Sequence, residues 1–458
     1  RYTDGYGLTI SVLNKILPKY NPDLLITVDC GITAVEETKY LLSKGIDVII
    51  TDHHELGEDL PNACIVNCKK PNQKYSFNGL CGTGVAYKLA QALLEKDNIE
   101  ELLPIVAIAT IADIVPLKDE NRFLVYKGLK LLDKLPAGVK ALFKNNKLNL
   151  KFVNSTDIAF KIAPKLNASG RMGDANDSLN LYLENNPTTI KTLVEKINNH
   201  NTKRQELCSK VFDDANEMLK DQNLCELPAI ILYNKTWDSG ILGIVCSKLL
   251  EKYNKPVFLF SEENDVLKGS ARSIKDINIH NILVSVSDIL DVFGGHTMAA
   301  GLTIKKENIQ EFKNRVFSYI YENIDNKVFV PVEYYDLEVT IDDLSLKFLD
   351  ELKLLEPCGC ENASPKFLIK ADSIKINPLK KFPNHANIEI AKKLSLIFFN
   401  YINESSKLNF GKDYYFIFDL QGYEHNMFKG MVKNFDCSFE LDSRAKKFLE
   451  PYIIEQLT

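Results

Sequence analysis

The fold is decided by two short apolar runs that each end in polar side chains able to bind ligands. Leu24-Leu25-Ile26-Thr27-Val28 runs into Asp29, and Ile46-Asp47-Val48-Ile49-Ile50 runs into Thr51-Asp52-His53-His54. Between them, the residues up to about Lys44 have a helical pattern. Strands that alternate with helices predict a largely parallel sheet covered on both faces. Because ligands bind at the carboxyl ends of such strands, Asp29 and the residues that follow the second run mark a candidate site.

The rest of the chain divides into regions of different pattern. Residues 188–220 are polar and contain neither Gly nor Pro, which predicts one long, solvated helix between two domains. A second α/β unit follows, and from about Pro331 short strand patterns mix with lysine-rich segments. We therefore predict four regions: an α/β parallel-sheet domain at 1–187, a linker helix at 188–225, a second α/β domain at 226–330 and a small β-rich domain at 331–458.

The composition excludes several classes of protein. The 458 residues are 45% hydrophobic and 26% charged, which is ordinary for a globular protein of about three domains. No apolar run reaches the roughly 18 residues of a membrane span, so we expect no membrane partner. The net charge of −5 means that any nucleic-acid binding must come from local patches. The 10 cysteines form no CxxC pair, which argues against a zinc site or disulfide framework and favours a reducing cytoplasm.

Acidic residues and histidines near the strand ends are candidates for metal chemistry. The triplet Asp52-His53-His54 can bind a divalent cation, and Asp29 ends the preceding strand. Asp113 is a lone acid in the apolar stretch 108–117, and a buried carboxylate is costly unless it is paired or bound to a metal. Carboxylates with imidazole suit Mn²⁺ or Mg²⁺, and two such ions would activate water for a phosphoryl displacement. A structural origin of the triplet, and a helix cap or core salt bridge at Asp113, are the alternatives.

Three other segments have the composition of phosphate-binding sites. Gly294-Gly295-His296 is a tight turn whose backbone N–H groups can approach an anion beside an imidazole. Lys268-Gly269-Ser270-Ala271-Arg272-Ser273 adds a cation and hydroxyls, and Gly170-Arg171-Met172-Gly173-Asp174 places an arginine between glycines. The alternatives are a simple turn for the first of these segments and a surface loop for the last.

The C-terminal region contains a basic stretch with interleaved aromatic residues. Residues 366–412 have nine Lys against three acids, a local charge of +6, and include Phe382, Phe398, Phe399 and Tyr401. Such a composition suits single-strand binding by charge and stacking. A solvated lysine-rich face over core aromatics is the alternative.

A series of segments occurs in the order seen in a known family. In the first domain these are Val28-Asp29-Cys30-Gly31, Thr51-Asp52-His53-His54, Gly82-Thr83-Gly84-Val85-Ala86 and Ala112-Asp113-Ile114-Val115-Pro116-Leu117. They continue with Asn167-Ala168-Ser169-Gly170-Arg171-Met172-Gly173, the 269–273 and 293–301 segments, and Leu355-Glu356-Pro357. In this order the chain resembles the DHH phosphoesterase family, and within it the exonucleases specific for single-stranded DNA. The resemblance implies a DHH domain, a DHH-associated domain and a C-terminal OB-fold domain. We expect the last to be a closed or nearly closed antiparallel barrel with its lysines on one face.

The resemblance also implies roles for the residues at the strand ends. Asp29 would bridge two metal ions, and His53 and Asp113 would complete one of the two sites. His54 would contact the scissile phosphate or aid catalysis, with Asp52 beside it as a catalytic residue. The ions would be Mn²⁺ or Mg²⁺.

The function implied by the resemblance is metal-dependent 5′→3′ hydrolysis of single-stranded DNA in repair and recombination. Arg272 and His296 would grip DNA phosphates, and Arg171, Ser270, Gly294 and Gly295 belong to the same phosphate-binding group. The partners would be single-stranded DNA, a single-strand-binding protein and a helicase, and the location the cytoplasm. A phosphodiesterase for short oligonucleotides or cyclic dinucleotides is an alternative, as is a non-catalytic DNA-binding scaffold.

The sequence departs from the family at two places. The family's first motif, Asp-x-Asp, lies upstream of the position equivalent to Arg1, so we expect the chain to start inside a longer protein. The ligands present would then complete about one metal site, and the sheet would have an unpaired edge. The segment Trp237-Asp238-Ser239-Gly240 has Asp238 where the family usually has His, which puts any role of that imidazole in doubt.

Overall fold

The first sheet consists of the strands predicted from the two apolar runs and one more. In this computed structural model the described residues are 7–438, except 72, 95, 225, 264 and 411–412. The first elements are α1 (Ile10–Tyr20), β1 (Leu24–Val28), α2 (Val35–Ser43), β2 (Asp47–Asp52), β3 (Cys64–Asn67) and α3 (Gly82–Leu93). The three strands pair in parallel in the order β1-β2-β3, which confirms the predicted parallel sheet.

The register of this sheet brings the strand ends together. Val28, the last residue of β1, lies opposite Thr51, and the Asp29 amide donates to the Thr51 carbonyl at 2.9 Å. Asp29 and His53 therefore leave neighbouring strands at the same edge. Within the described part of the chain, β2 is the one strand that pairs with β1.

Helices complete the first region and lead into a long connecting helix. They are α4 (Leu103–Ala112), α5 (Asp119–Lys130), α6 (Ala137–Asn145), α7 (Ser155–Asp157), α8 (Ala163–Met172), α9 (Asn176–Leu183) and α10 (Pro187–Leu219). The side chain of Asn186 caps α10 by accepting from the amides of Thr188 and Thr189, and Pro187 occupies its first turn. Although α10 has 33 residues, neither it nor another helix in the described residues has the length and apolar character of a membrane span.

The second α/β region packs helices against a five-stranded sheet. Its elements are β4 (Ile230–Tyr233), α11 (Leu242–Tyr253), β5 (Val257–Glu263), β6 (Val266–Arg272), α12 (Ile279–Ser285), β7 (Leu290–Gly295), β8 (Ala299–Lys305) and α13 (Ile309–Asn323). The strand order is β4-β5-β6-β8-β7, and only the β4–β5 pair is parallel. Its core includes Phe258, Phe260 and Phe312, whose rings meet edge to face.

The chain forms two compact units, and the second is discontinuous in sequence. Unit 1 contains residues 1–113 and 127–331, and unit 2 contains 114–126 and 332–458. The elements of unit 2 after residue 331 are β9 (Leu337–Glu338), α14 (Leu346–Leu352), β10 (Lys366–Ala371), β11 (Lys375–Leu379), β12 (Phe382–Ile390), β13 (Leu394–Phe398), α15 (Ser405–Phe410), β14 (Asp413–Glu424) and β15 (Met427–Ser438). The sequence placed 114–126 in the first domain, whereas the structure groups it with the C-terminal unit.

Segment 114–126 is tied to the rest of unit 2 by several contacts. The Leu117 amide donates to the Cys360 carbonyl at 2.7 Å, and Arg122 Nη2 donates to the Leu354 carbonyl at 3.0 Å. Lys118 forms an ion pair with Glu361. The Leu117 side chain lies so close to Gly359 that a Cβ there would be 2.6 Å from its Cδ1.

The sheet of unit 2 is curled into a barrel, as an OB fold requires. Its order is β11-β12-β13-β15-β14-β10-β9, so β10 and β11 are five strand spacings apart. A flat sheet would separate them by about 24 Å. The chain from Ala371 to Lys375 spans at most about 14 Å, so the sheet must bend until the two strands approach one another. This confirms the predicted β-rich OB-like domain.

One detail of the barrel differs from the prediction. The sheet is not purely antiparallel, because β13 pairs with β15, and β9 with β10, in parallel. Several lysines of 366–412 are held by groups of the same unit, which reduces the positive charge that is free to meet a ligand. Lys366, Lys370 and Lys407 pair with Glu333, Asp413 and Glu404, and Lys393 donates to the Ile341 carbonyl.

Candidate metal centre

Asp29 is presented by a left-handed backbone turn at the end of β1. Its φ is 61°, and Gly31 two residues later has a φ of 104°. The first residue of α3, Gly82, packs directly against the Asp29 side chain. A Cβ atom at position 82 would lie 2.1 Å from Asp29 Oδ1, so only glycine leaves room for the carboxylate.

His53 joins the two carboxylates that were predicted as ligands. Its Nε2 atom lies 3.2 Å from Asp29 Oδ1 and 3.4 Å from Asp113 Oδ2. The His53 side chain is 10% exposed, whereas those of Asp29 and Asp113 are 58% and 44% exposed. The structure therefore brings these three residues together, with the imidazole behind and the carboxylates open to solvent.

Asp113 occupies a position that disfavours its negative charge. It caps the carboxyl end of the ten-residue helix α4, where the carbonyl groups carry partial negative charge. Partial burial raises the pKa of Asp113, and the Asp29 charge adds to this, while His53 and His54 act in the opposite direction. Two carboxylates that converge at a helix carboxyl end fit a divalent cation, which would neutralise them. Oxygen donors with imidazole are the ligands that suit Mn²⁺ or Mg²⁺.

Asp52 points away from the carboxylates and holds the histidines in place. It is 1% exposed, and its Oδ1 accepts from the amides of His53 and His54 at 2.7 and 3.2 Å. The same oxygen lies 2.7 Å from His54 Nδ1, and Oδ2 accepts from the Ile32 amide at 3.0 Å. Burial alone would raise the pKa of Asp52, but these hydrogen bonds outweigh it and lower the pKa to about 2. These contacts favour a positioning role for Asp52, whereas the resemblance implied a direct catalytic role.

We refer to Asp29, His53 and Asp113 as the donor cluster. His54 contacts Asp52 and lies close to this cluster. The hydrogen bond with Asp52 raises the pKa of His54, and the charges of Asp29 and Asp113 contribute in the same direction. Potential ligand atoms of Asp29, His53 and His54 all lie within 4.8 Å of one another. His54 is therefore close enough to act on a group bound at the cluster, and the catalytic role that the resemblance implies for it stays a prediction.

Asn67 and Gly82 were not among the site residues identified from the sequence. Asn67 ends β3, is buried, and donates from Nδ2 to the His54 carbonyl at 3.1 Å. Its position at a third parallel strand end is the same signal that identified Asp29. Gly82 entered the sequence analysis only as part of a segment that carries the family resemblance, and its contact with Asp29 depends on packing between distant parts of the chain.

The charge of His296, in the predicted phosphate-binding turn, acts on Glu55, the residue after His54. Glu55 follows His54 and forms an ion pair with Lys69 at 2.7 Å. The hydrogen bond from Lys69 lowers the pKa of Glu55, and smaller contributions come from the charges of His296 and His53. The turn is closed by the His296 amide, which donates to the Ala299 carbonyl at 2.8 Å.

Gly294 and Gly295, which precede His296, differ in the space that is available for a side chain. Gly295 has a φ of 153°, and a Cβ there would lie 2.4 Å from the Ala299 carbonyl oxygen. At Gly294 nothing lies within 4 Å of such an atom, so its surroundings are open. Gly294 therefore leaves the space in front of the turn free.

The side chains of Arg171 and Arg272 each lie against residues at the start of α11. Arg171 Nη1 donates to the Gly240 carbonyl at 3.1 Å. A Cβ on Gly243 would be 3.0 Å from Arg272 Nη2, so this guanidinium lies against the first turn of the helix. Ser270 is two residues before Arg272 on β6. Two guanidinium groups beside a helix N-terminus form an environment suited to a phosphate.

Asp238 lies in the turn that leads into α11. Its Oδ1 accepts from the Gly240 amide at 2.8 Å, and the preceding Trp237 donates from Nε1 to Asp214 at 3.3 Å. The residue that replaces the family's usual His thus stabilises the turn next to Arg171.

Family models match three consecutive parts of the chain. The DHH family N-terminal domain matches residues 6–111, the DHHA1 domain 226–322 and the RecJ OB domain 335–433. The single-stranded-DNA-specific exonuclease RecJ of Bacillus subtilis is 38% identical over 374 residues, which are 81% of this chain and 47% of that protein. The protein of the same name from Haemophilus influenzae is 33% identical over 392 residues, with 80% and 68% covered.

A solved structure matches both units of the chain. The crystal structure of RecJ in complex with Mn²⁺ from Thermus thermophilus superposes with a TM-score of 0.81 at 28% identity. The match covers 93% of this chain and 64% of that one. The chain thus spans about half the length of the Bacillus relative and about two thirds of the Haemophilus relative.

Proposed function

Because this chain belongs to the RecJ family of single-stranded-DNA-specific exonucleases, within the DHH phosphoesterases, we propose that it hydrolyses single-stranded DNA from the 5′ end. We assign it to DNA repair and recombination in the cytoplasm, with a single-strand-binding protein and a helicase as partners. The observation that carries the proposal is the convergence of Asp29, His53 and Asp113 at the carboxyl ends of neighbouring elements. The substrate class is that of the Bacillus and Haemophilus relatives, which are single-stranded-DNA-specific exonucleases.

In this proposal the cluster holds Mn²⁺ or Mg²⁺, with two ions in the working site. Asp29 would serve both ions, and His53 and Asp113 would complete one of the sites. When bound, such ions lower the pKa of a water molecule and neutralise charge on the phosphate during displacement. His54, held by Asp52, would contact the scissile phosphate or support proton transfer. Gly82 keeps the space that the Asp29 carboxylate occupies.

The remaining phosphate-binding residues position the strand. Arg171, Ser270 and Arg272 at the start of α11 would hold one backbone or terminal phosphate, since a helix N-terminus and two guanidinium groups favour an anion. His296 and Gly294 would hold another phosphate beside the donor cluster. Contacts of this kind fix the register of a strand without reading its sequence.

The test measures release of nucleotides from a 5′-phosphorylated single strand in Mn²⁺, using the full-length protein. Asp29→Ala should abolish release, because the bridging ligand is lost. Asp47→Ala is the matched control, since Asp47 is an exposed aspartate at the opposite end of the neighbouring strand. Release that survives in Asp29→Ala would refute the metal assignment. Hydrolysis of dinucleotides alone would favour the short-substrate phosphodiesterase, and binding without any hydrolysis the scaffold.

A further inference from the structure

A basic segment with exposed aromatic rings lies outside the site described above. Residues 140–165 contain Lys140, Lys144, Lys147, Lys151, Lys161 and Lys165, with Asp157 as the one acid, a local charge of +5. The whole chain has a net charge of −5, so the charge of this segment is opposite in sign to that of the chain as a whole. We refer to residues 140–165 as the basic-aromatic segment.

Two phenylalanines of the basic-aromatic segment are turned towards solvent. Phe152 is 79% exposed and Phe160 is 78% exposed. The same segment buries other apolar side chains completely, among them Phe143, Ile158 and Ile162. The segment thus has a well-anchored inner side, and its two exposed rings are not needed to fill the core.

The backbone that presents these rings is fixed by local hydrogen bonds. Asn154 and Asp157 form a capping box at the start of α7, and residues Ile158–Ile162 form a π-helical turn that contains Phe160. Asn198 on α10 donates from Nδ2 to Asn145 Oδ1 at 2.9 Å and accepts from Lys165. This bridge ties the end of α6 to the start of α8, so the two halves of the segment are held side by side.

Most of the lysines keep their charge available. Lys161 pairs with Asp157 at 2.6 Å. In the described portion of the chain, no ion pair involves Lys144, Lys147 or Lys151, and all three are exposed. Unpaired lysines in the same segment as two exposed aromatic rings match the requirements of single-stranded nucleic acid, which offers phosphates and stacking bases. A protein partner would have to supply acidic side chains, and none of the observations on this segment favours a protein partner.

We propose that the basic-aromatic segment is a second binding surface for single-stranded DNA, at which Phe152 and Phe160 stack on bases and the lysines contact phosphates. The proposal rests on the proposed substrate but not on the metal centre. A strand engaged at this surface would be retained between successive cleavage events. Substrates of two nucleotides are too short to need it.

The test compares binding of a 5′-phosphorylated oligo-dT of about 40 nucleotides by fluorescence anisotropy over a range of salt concentrations, using the intact protein. The triple variant Lys144→Glu/Lys147→Glu/Lys151→Glu should lower the magnitude of the salt slope by about 2, since each single-strand contact contributes roughly 0.7. The variant Phe152→Ser/Phe160→Ser should weaken binding by about tenfold for each ring, with the slope unchanged. Dinucleotide hydrolysis should stay at the wild-type rate in both.

Matched controls separate this surface from general effects of charge and apolarity. Lys210→Glu/Lys305→Glu/Lys327→Glu makes the same charge change at three other exposed lysines, and Leu93→Ser/Leu179→Ser removes two other exposed apolar side chains. Both should bind like the wild type. Unchanged affinity and slope in the segment variants, or losses no larger than those of the controls, would overturn the proposal. If the wild-type protein failed to hydrolyse dinucleotides, that result would count against the proposed function. The binding measurements would still test the proposed binding surface.

Discussion

Replacing Gly82 by Ala should remove divalent-ion binding while the protein stays folded. The added Cβ would lie 2.1 Å from Asp29 Oδ1 and 2.5 Å from its Cγ. Non-bonded contacts of this kind relax to about 3.5 Å, so the carboxylate must move by more than about 1 Å. Metal–ligand distances tolerate only about 0.2 Å, so Asp29 would no longer reach an ion held by His53 and Asp113.

The effect of Gly82→Ala on stability should be small by comparison. Alanine is favoured over glycine in a helix by up to about 1 kcal/mol, and overpacking costs about 1–3 kcal/mol. The net loss of about 0–2 kcal/mol is below the roughly 5–15 kcal/mol that unfolds a typical domain. A displacement of about 1 Å at a reacting centre costs about 100-fold in rate.

The assay for Gly82→Ala combines calorimetric titration with Mn²⁺, thermal unfolding and nucleotide release. Gly84→Ala is the matched control, because it adds the same methyl group to the same helical turn. There the nearest atom is Leu80 Cδ2 at 3.2 Å, in a flexible side chain that can shift. Wild-type Mn²⁺ affinity in Gly82→Ala would refute the argument that Gly82 fixes the position of Asp29. Equal loss of affinity in both variants would show that the helix start, and not the contact with Asp29, is responsible.

Three further changes test other parts of the structure. Asp52→Asn should reduce the rate of nucleotide release about 10- to 100-fold, because His54 loses its orienting partner; a wild-type rate would contradict the positioning role. Ile114 has a φ of 58°, a left-handed backbone conformation that asparagine tolerates better than isoleucine, and its side chain is 73% exposed. Ile114→Asn should therefore raise the free energy of unfolding by about 1 kcal/mol in thermal or denaturant unfolding. A loss of stability would show that the backbone at this position is not strained. Burial raises the pKa of Cys246 to about 12, whereas Cys64 is exposed. Iodoacetamide at pH 8 should therefore modify Cys64 in the folded protein and leave Cys246 unmodified, as measured by peptide mass spectrometry. Equal labelling of the two cysteines would contradict the burial of Cys246.

The sequence predicted those features that depend on local pattern. Short apolar runs followed by polar residues located β1 and β2 to within two residues, and parallel pairing then placed Asp29 and His53 at one edge. The strand pattern also predicts the direction of the Asp52 side chain, because successive side chains of a strand point in opposite directions. If His53 faces the carboxylates, Asp52 must face the interior, and the structure shows it buried.

Features that depend on contacts between distant residues could not be predicted in this way. The approach of Gly82 to Asp29 joins positions more than fifty residues apart, and no periodicity encodes it. The parallel pairing of β13 with β15 arises from barrel closure, which is a property of the whole sheet. The ion pairs that hold Lys366 and Lys370 likewise depend on where Glu333 and Asp413 lie in three dimensions.

The membership of residues 114–126 in unit 2 changes how this protein can be dissected. A stop codon near residue 331 would not simply delete a module, because it would also strip the partners from Leu117, which is 2% exposed, and from Arg122. That segment begins immediately after Asp113, which we propose as a metal ligand. Loss of activity in a truncated protein would therefore be mistaken for weak DNA binding when its cause is displacement of Asp113. Chimeras between relatives face the same difficulty in reverse. A grafted C-terminal domain should be transferred together with 114–126, so that Lys118 and Glu361 come from one parent.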